Sequence, residues 1–135
     1  KTRSNYDSII KIRFADILLS KAEAYVEAGD LQAAAALVNT VRNRAKLADL
    51  PATTVSSKEK MADAVLNERR LELAFEGQRW FDLVRTGKVF SILNSLNTRD
   101  SGRLPMTPVT EETVLLPVPQ TQIDKNPNLT QNKGY

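Results

Sequence analysis

Proline is confined almost entirely to one end of this chain. Residues 1 to 96 contain only Pro51, whereas residues 104 to 135 contain five of the six prolines. A proline lacks the amide hydrogen and clashes with the preceding helical turn, so the first part can be helical and the last part mostly cannot. Within the first part the apolar residues recur at helical spacing. Stepping 100° per residue from Lys11 to Ala28 places Ile12, Phe14, Ala15, Leu18, Leu19, Ala22, Tyr25 and Val26 on one arc. Arg13, Asp16, Ser20, Glu23 and Glu27 fall opposite, which is the pattern of an amphipathic helix. Gly29 ends that helix and Asp30 is a good N-cap for a second, from Leu31 to Lys46. Leu31, Ala34, Leu37, Val38, Val41 and Ala45 form its apolar side, and Ala33 to Ala36 permit a neighbouring helix to approach closely. Arg42, Arg44 and Lys46 sit in its last turns, where cations favour the negative end of the helix dipole. The short connection makes the two helices an antiparallel hairpin over residues 11 to 47.

After a ten-residue loop around Pro51, Ser56 and Glu59 offer a capping box for a third helix. Its apolar phase runs from Met61 through Val65, Leu66 and Leu73 to Trp80, Leu83 and Val84, with a break expected at Gly77. Both halves are expected to face the same core. Gly87 closes the stretch, and a short helix is expected from Lys88 to Leu96. Beyond it the chain reads as loop, with one short strand at Thr113 to Leu116 and an amide-rich, turn-like tail. The fold class is therefore all-α, with a helical hairpin, further helices over 57 to 96, and an irregular Pro/Asn-rich tail over 97 to 135. The whole reads as one domain.

At 135 residues the chain can bury a real core. It contains no His and no Cys, which removes Ser–His and Cys–His nucleophiles, imidazole proton shuttles, zinc fingers and disulfides. Neither a metal site nor a cofactor is expected. The net charge of +3 is spread along the chain, with +3 on residues 1–46, +1 on 58–88 and −1 on 104–135. No segment is a basic arm, so nucleic acid is not an expected partner. The longest uncharged apolar stretch, Leu31 to Val41, is interrupted by Gln32, Asn39 and Thr40 and is too short to span a bilayer, and the opening Lys-Thr-Arg-Ser-Asn does not read as a signal peptide.

Two groups of residues invite a chemical reading. Arg69, Glu72 and Glu76 fall inside the apolar arc of their helix. Two carboxylates there could form a glycosidase pair. Charges at helical spacing more often satisfy one another, so a partly buried ion network is expected, with Arg69 held between Glu72 and Glu76. The second group comprises Trp80, the lone tryptophan, and the tail amides Asn126, Asn128, Gln131 and Asn132. A sugar ring could stack on the indole, and amides can bond sugar hydroxyls. Packing of the indole and capping of turns by the amides are the more ordinary uses.

The spacing Ala24-Tyr25-x-x-x-Gly29-Asp30-x-x-Ala33 resembles the middle of a tetratricopeptide repeat. One copy cannot bury its own faces, so the chain reads as part of something larger. Five further blocks resemble the C-terminal region of the SusD/RagB family of Bacteroidetes outer-membrane nutrient-binding lipoproteins. They are Ile12-Arg-Phe-Ala-Asp16-Ile-Leu-Leu19 with Ala22-Glu-Ala24; Asn39-Thr-Val-Arg42-Asn-Arg44-Ala45; Asn67-Glu-Arg-Arg-x-Glu72-Leu-Ala-Phe-Glu76-Gly-x-Arg-Trp80-Phe-Asp-Leu83; Leu116-Pro-Val-Pro-Gln120; and Asn126-Pro-Asn-Leu-Thr-Gln-Asn-x-Gly-Tyr135. Gln78 stands where His is frequent in the family, and Lys133 where Pro is frequent. The resemblance implies a non-catalytic, cell-surface protein several times longer than this chain, tethered to the outer membrane by a lipidated N-terminal Cys outside it. It implies delivery of captured oligosaccharides to a TonB-dependent, SusC-like transporter, with the ligand held mainly by the part N-terminal to this chain. From the residues alone, a tetratricopeptide-like scaffold for a protein partner, without any nutrient ligand, is the alternative.

Overall fold

The computed structural model describes residues 11–99 and 107–135. Among them are seven helices and no strand: α1 (Phe14–Ala28), α2 (Leu31–Arg44), α3 (Ala52–Val55), α4 (Lys58–Glu72), α5 (Arg79–Arg85), α6 (Val89–Arg99) and α7 (Gln120–Ile123). None of the described helices is long and apolar enough to cross a membrane. The chain divides into two compact units, residues 1–79 and 80–135.

The first unit is built on three long helices, α1, α2 and α4, with the single turn of α3 before the last. Helix α1 ends because Gly29 turns into the left-handed region, at φ +86°. Its amide donates to the Val26 carbonyl, and the next amide, that of Asp30, reaches back to Tyr25. A residue with a β-carbon resists that φ, so the turn selects glycine. One residue on, the Asp30 carboxylate accepts the Ala33 amide at 3.0 Å and opens α2. The expected hairpin is therefore formed. Leu19, Ala22 and Val26 of α1, Ala34, Ala35, Val38 and Val41 of α2, and Met61 and Val65 of α4 make one buried cluster. Ala34 and Ala35 are the two of the four alanines that lie in it. Each fully buried Leu, Val or Met contributes about 1.5–3 kcal/mol over leaving it in water.

The loop after α2 is more ordered than the sequence indicates. It carries the single turn of α3, and the Leu50 amide donates to the Asn39 side chain at 2.9 Å. Helix α4 is capped one residue later than expected. Ser57, not Ser56, accepts the Lys60 amide, while the Ser56 hydroxyl donates to the Thr53 carbonyl in the turn of α3.

The break near Gly77 is present and spans residues 73–78. Both Gly77 (φ +78°) and Phe75 (φ +67°) lie in the left-handed region, and Phe75 is fully exposed. The break ends the helical phase, which corrects the expectation for Trp80. That residue begins the second unit and is 39% exposed, outside the buried cluster of α1, α2 and α4. In the second unit Leu83 and Val89 are buried, and Gly87 separates α5 from α6.

The strand expected at Thr113 to Leu116 is absent; Thr113 to Leu115 form a turn and bend, and Leu116 is irregular. Thr113 donates its hydroxyl to the Thr110 carbonyl and accepts the Thr110 amide, and this local pairing replaces a ladder. Gln131 then fixes the tail. Its amide oxygen accepts the Val118 amide at 2.7 Å and its amide nitrogen donates to the Val118 carbonyl at 3.0 Å. Gly134 closes over Glu112. A β-carbon there would stand 2.8 Å from the Glu112 β-carbon, at a φ of +99° that side chains resist.

The cap assignment is directly testable. Ser57→Ala should destabilise the protein by about 1 kcal/mol in urea unfolding, the usual worth of a serine N-cap. Ser56→Ala should change stability by less than half of that. The reverse ranking would return the cap to Ser56.

Candidate functional site

The charges of the first unit converge on one end of the helices. Arg13, just before α1, donates from Nε to Glu76 at 2.9 Å and from Nη1 to Glu72 at 2.5 Å. It also donates to the Glu72 backbone carbonyl. Arg44, in the last turn of α2, donates from Nη2 to both Glu72 oxygens at 2.7 Å. Arg42 donates to Glu68 at 2.9 Å, and its Nε to the Ala48 carbonyl at 2.8 Å. Arg69 donates to Asp16 at 2.8 Å and to the Ser20 hydroxyl at 3.1 Å. Each ion pair therefore joins two different helices or their flanks.

This arrangement corrects the expected network. Glu72, half-buried, and Glu76, exposed, do share a charged cluster, but Arg69 is not the cation between them. Arg13 and Arg44 hold Glu72, Arg13 holds Glu76, and Arg69 turns to α1. The physical reason is reach. Glu72 and Glu76 succeed Arg69 on the same chain, where a local pair would satisfy only the helix surface, whereas the packed α1 and α2 bring cations onto the inward side. Sequence reasoning missed Arg13, Asp16, Arg42, Arg44 and Glu68 as members. Glu68 lies close to the Met61–Val65 stripe on the helical wheel, and that position was the available signal.

The electrostatics follow from the geometry. Burial pushes the Glu72 carboxyl up, its side chain being 8% exposed, but the hydrogen bonds from Arg13 and then Arg44 outweigh burial. The net result holds Glu72 below the ordinary carboxylate range. Glu76 first, and Glu72 second, hold the Arg13 guanidinium above its usual range. A carboxylate held ionised by two guanidinia is the reverse of a general acid, whose proton must be retained near neutrality. The cluster ties the helices together, and Glu72 is not poised as a general acid.

A cleft of about 420 Å³ opens beside it, lined by Phe14, Leu18, Thr40 and Val41 together with Arg13 and Arg44. Its volume lies in the range of small-molecule sites. The Thr40 hydroxyl donates to the Ala36 carbonyl, so the walls are mainly apolar.

The second unit carries the other sequence candidates. Trp80 is exposed enough for its ring to meet a ligand. The tail amides are largely committed to backbone. Asn126 accepts the Asn128 amide at 3.1 Å, Gln131 brackets Val118, and Asn132 donates to the Leu116 carbonyl at 2.6 Å. Asn128 is exposed. Among the described residues no group of three or more His, Cys, Asp or Glu could hold a metal ion.

With this geometry in hand, the chain can be set beside known proteins. A family model described as the SusD family matches residues 1–135. A SusD-like protein of Formosa agariphila is 35% identical over 95% of the chain and 25% of its own length. The starch-binding protein SusD of Bacteroides thetaiotaomicron is 32% identical over 91% of the chain and 21% of its own length. Among solved structures, surface glycan-binding protein A of B. thetaiotaomicron superposes with a TM-score of 0.74 at 28% identity, over 94% of the chain and 25% of that protein. A SusD superfamily protein of Bacteroides vulgatus gives 0.76 at 29% identity, over 93% and 27%. The chain thus spans about a quarter of the length of the relatives it matches.

The ion cluster makes its own prediction. Arg13→Ala should destabilise by about 3 kcal/mol in denaturant unfolding, because it leaves Glu72 short of a cation in a buried setting. Glu72 has a depressed folded-state pKa, so its contribution is complete above the ordinary value of 4.5 and is lost as pH falls through the folded value. Wild type should therefore lose stability below pH 4.5 more steeply than Glu72→Gln. Parallel acid profiles would show that Glu72 is not linked to folding.

Proposed function

The chain belongs to the SusD family, and from that premise we propose that it is the C-terminal part of a cell-surface protein that binds glycans without cleaving them. The complete protein sits on the outer membrane through an N-terminal lipid anchor outside these residues. It hands oligosaccharides to a TonB-dependent, SusC-like transporter. The observation that supports this reading best is the likeness of nearly the whole chain, in sequence, to a starch-binding relative. The ion cluster is consistent with it, because Glu72 and Glu76 are engaged by arginines and serve as braces.

Within that protein residues 1–135 act mainly as scaffold, and most of the ligand is held by the part N-terminal to them. The tail amides support this division, since Gln131 and Asn132 are already bonded to the backbone of Val118 and Leu116. Trp80, Asn126, Asn128, Gln131 and Asn132 remain the residues to substitute if sugar contacts occur here; of these, Trp80 and Asn128 have the most freedom to meet a ligand.

Isothermal titration against a panel of oligosaccharides tests the reading. The full-length protein should bind at least one of them, and residues 1–135 alone should bind at least a hundredfold more weakly. Neither should release reducing sugar. Equal affinity in both would place the site within this chain, with Trp80→Ala as the first variant to measure. Binding by neither would favour a scaffold for a protein partner, the reading that the α1–α2 hairpin by itself also fits.

A further inference from the structure

Arg70 stands apart from the ion cluster. Arg13, Arg42, Arg44, Arg69 and Arg85 each meet a carboxylate, whereas Arg70 meets none among the described residues. It is exposed on the outer face of α4, and one turn back on that face lies Asn67, also exposed. The Asn67 Oδ1 accepts from Arg70 Nε at 3.2 Å and from Nη2 at 3.0 Å. That acceptor is neutral, so it orients the guanidinium plane without cancelling its charge. Arg70 Nη1 and the Asn67 Nδ2 make no bond among the described residues. With both lone pairs of the Asn67 oxygen engaged, the pair offers only donors beside a full positive charge. Just beyond the end of α4 comes Phe75. Its φ of +67° is one that a bulky side chain resists, and its ring is fully exposed, so no burial in this chain offsets the strain.

We propose that Asn67, Arg70 and Phe75 form a contact for an acidic sugar, a uronic acid residue of the bound oligosaccharide. This rests on the glycan-binding reading above and adds charge selectivity to a ligand held mainly elsewhere in the complete protein. A neutral sugar hydroxyl both donates and accepts, and its donor finds nothing on a surface made of donors. A carboxylate only accepts. Its two oxygens match the planar fork that Nη1 and Nη2 present, and Asn67 holds that fork in one plane beforehand. The carboxylate also brings the charge that Arg70 lacks within this chain. The aromatic face of Phe75 carries the negative side of its quadrupole, which suits the C–H face of a pyranose. Five residues separate the guanidinium from the ring, so both can meet one oligosaccharide.

Isothermal titration of the full-length protein tests this with galacturonate, mannuronate and guluronate tetrasaccharides, each beside its methyl ester. Esterification removes the charge and keeps the sugar. At least one acid form should bind about tenfold or more tightly than its ester, the worth of a charge-assisted hydrogen bond. Arg70→Gln should erase that preference. Arg70→Lys should restore only part of it, because an ammonium keeps the charge without the fork. Asn67→Ala, which frees the guanidinium without removing it, should reduce the preference and serves if Arg70→Gln does not fold. Phe75→Asn should weaken acid and ester alike with no fall in the urea midpoint, since Asn tolerates a left-handed φ. A lower midpoint would make Phe75 a packing residue and overturn its place in the contact. Equal binding of acid and ester, or a preference that survives Arg70→Gln, would overturn the inference while leaving a neutral glycan as ligand. Binding of no oligosaccharide, whether acid, ester or neutral, would overturn the glycan-binding reading and this inference with it.

Discussion

The double engagement of Glu72 by Arg13 and Arg44 is the constraint on which the first unit depends. It ties the approach to α1, the end of α2 and the end of α4 at a single carboxylate. Apolar packing alone tolerates small slides of one helix along another. Ion pairs with fixed hydrogen-bond geometry do not. Arg42 with Glu68 and Arg69 with Asp16 repeat the device between the same three helices, so their register is set at several points. A buried ion pair adds little net stability against a well-packed apolar substitute, and removing one partner is severe. The cluster is best understood as fixing which arrangement forms, while Leu19, Val38, Met61 and their neighbours supply most of the driving force.

Much of this fold was legible in the sequence because its signals are local. The Gly29–Asp30 turn, the inward stripe of α1 and the pause at Gly77 each follow from residues within one or two turns of one another. The cap of α4 was misplaced by one residue because Ser56 and Ser57 are adjacent and the box rule favoured the one three before Glu59. The ion partners were not legible, since 59 residues separate Arg13 from Glu72 and 28 separate Arg44 from it. A helical wheel can show that Glu72 points inward, but not which cation awaits it. Trp80 failed for a related reason. Its inward phase was carried across residues 73–78, and a segment with two left-handed residues does not conserve phase. The run Thr113-Val114-Leu115-Leu116 has strand composition, yet the bonds between Thr110 and Thr113 capture it as a turn.

The candidate sugar contacts show the same division between composition and use. An amide-rich tail reads equally as a sugar-binding surface or as a turn-former. The structure shows what the amides are bonded to: Gln131 meets both backbone groups of Val118 as a neighbouring strand would, with one side chain in place of a strand. The tail carries part of the sequence signature on which the resemblance to the SusD family rests. In this chain that signature is in large part the hydrogen bonding that lets an irregular, proline-rich segment hold a shape without a sheet.

The charged cluster also has a consequence at long range. Arg13, Arg42, Arg44 and Arg69 are matched by Asp16, Glu68, Glu72 and Glu76, four cations against four anions. Their summed monopole is zero, so their potential decays much faster with distance than that of a lone charge. Beyond a Debye length of about 8 Å at physiological ionic strength, the field of these eight side chains largely cancels and is screened. Changes in ionic strength act weakly on pairs this close. A brace built from the strongest charges available thus leaves the surrounding surface free to be tuned by other residues.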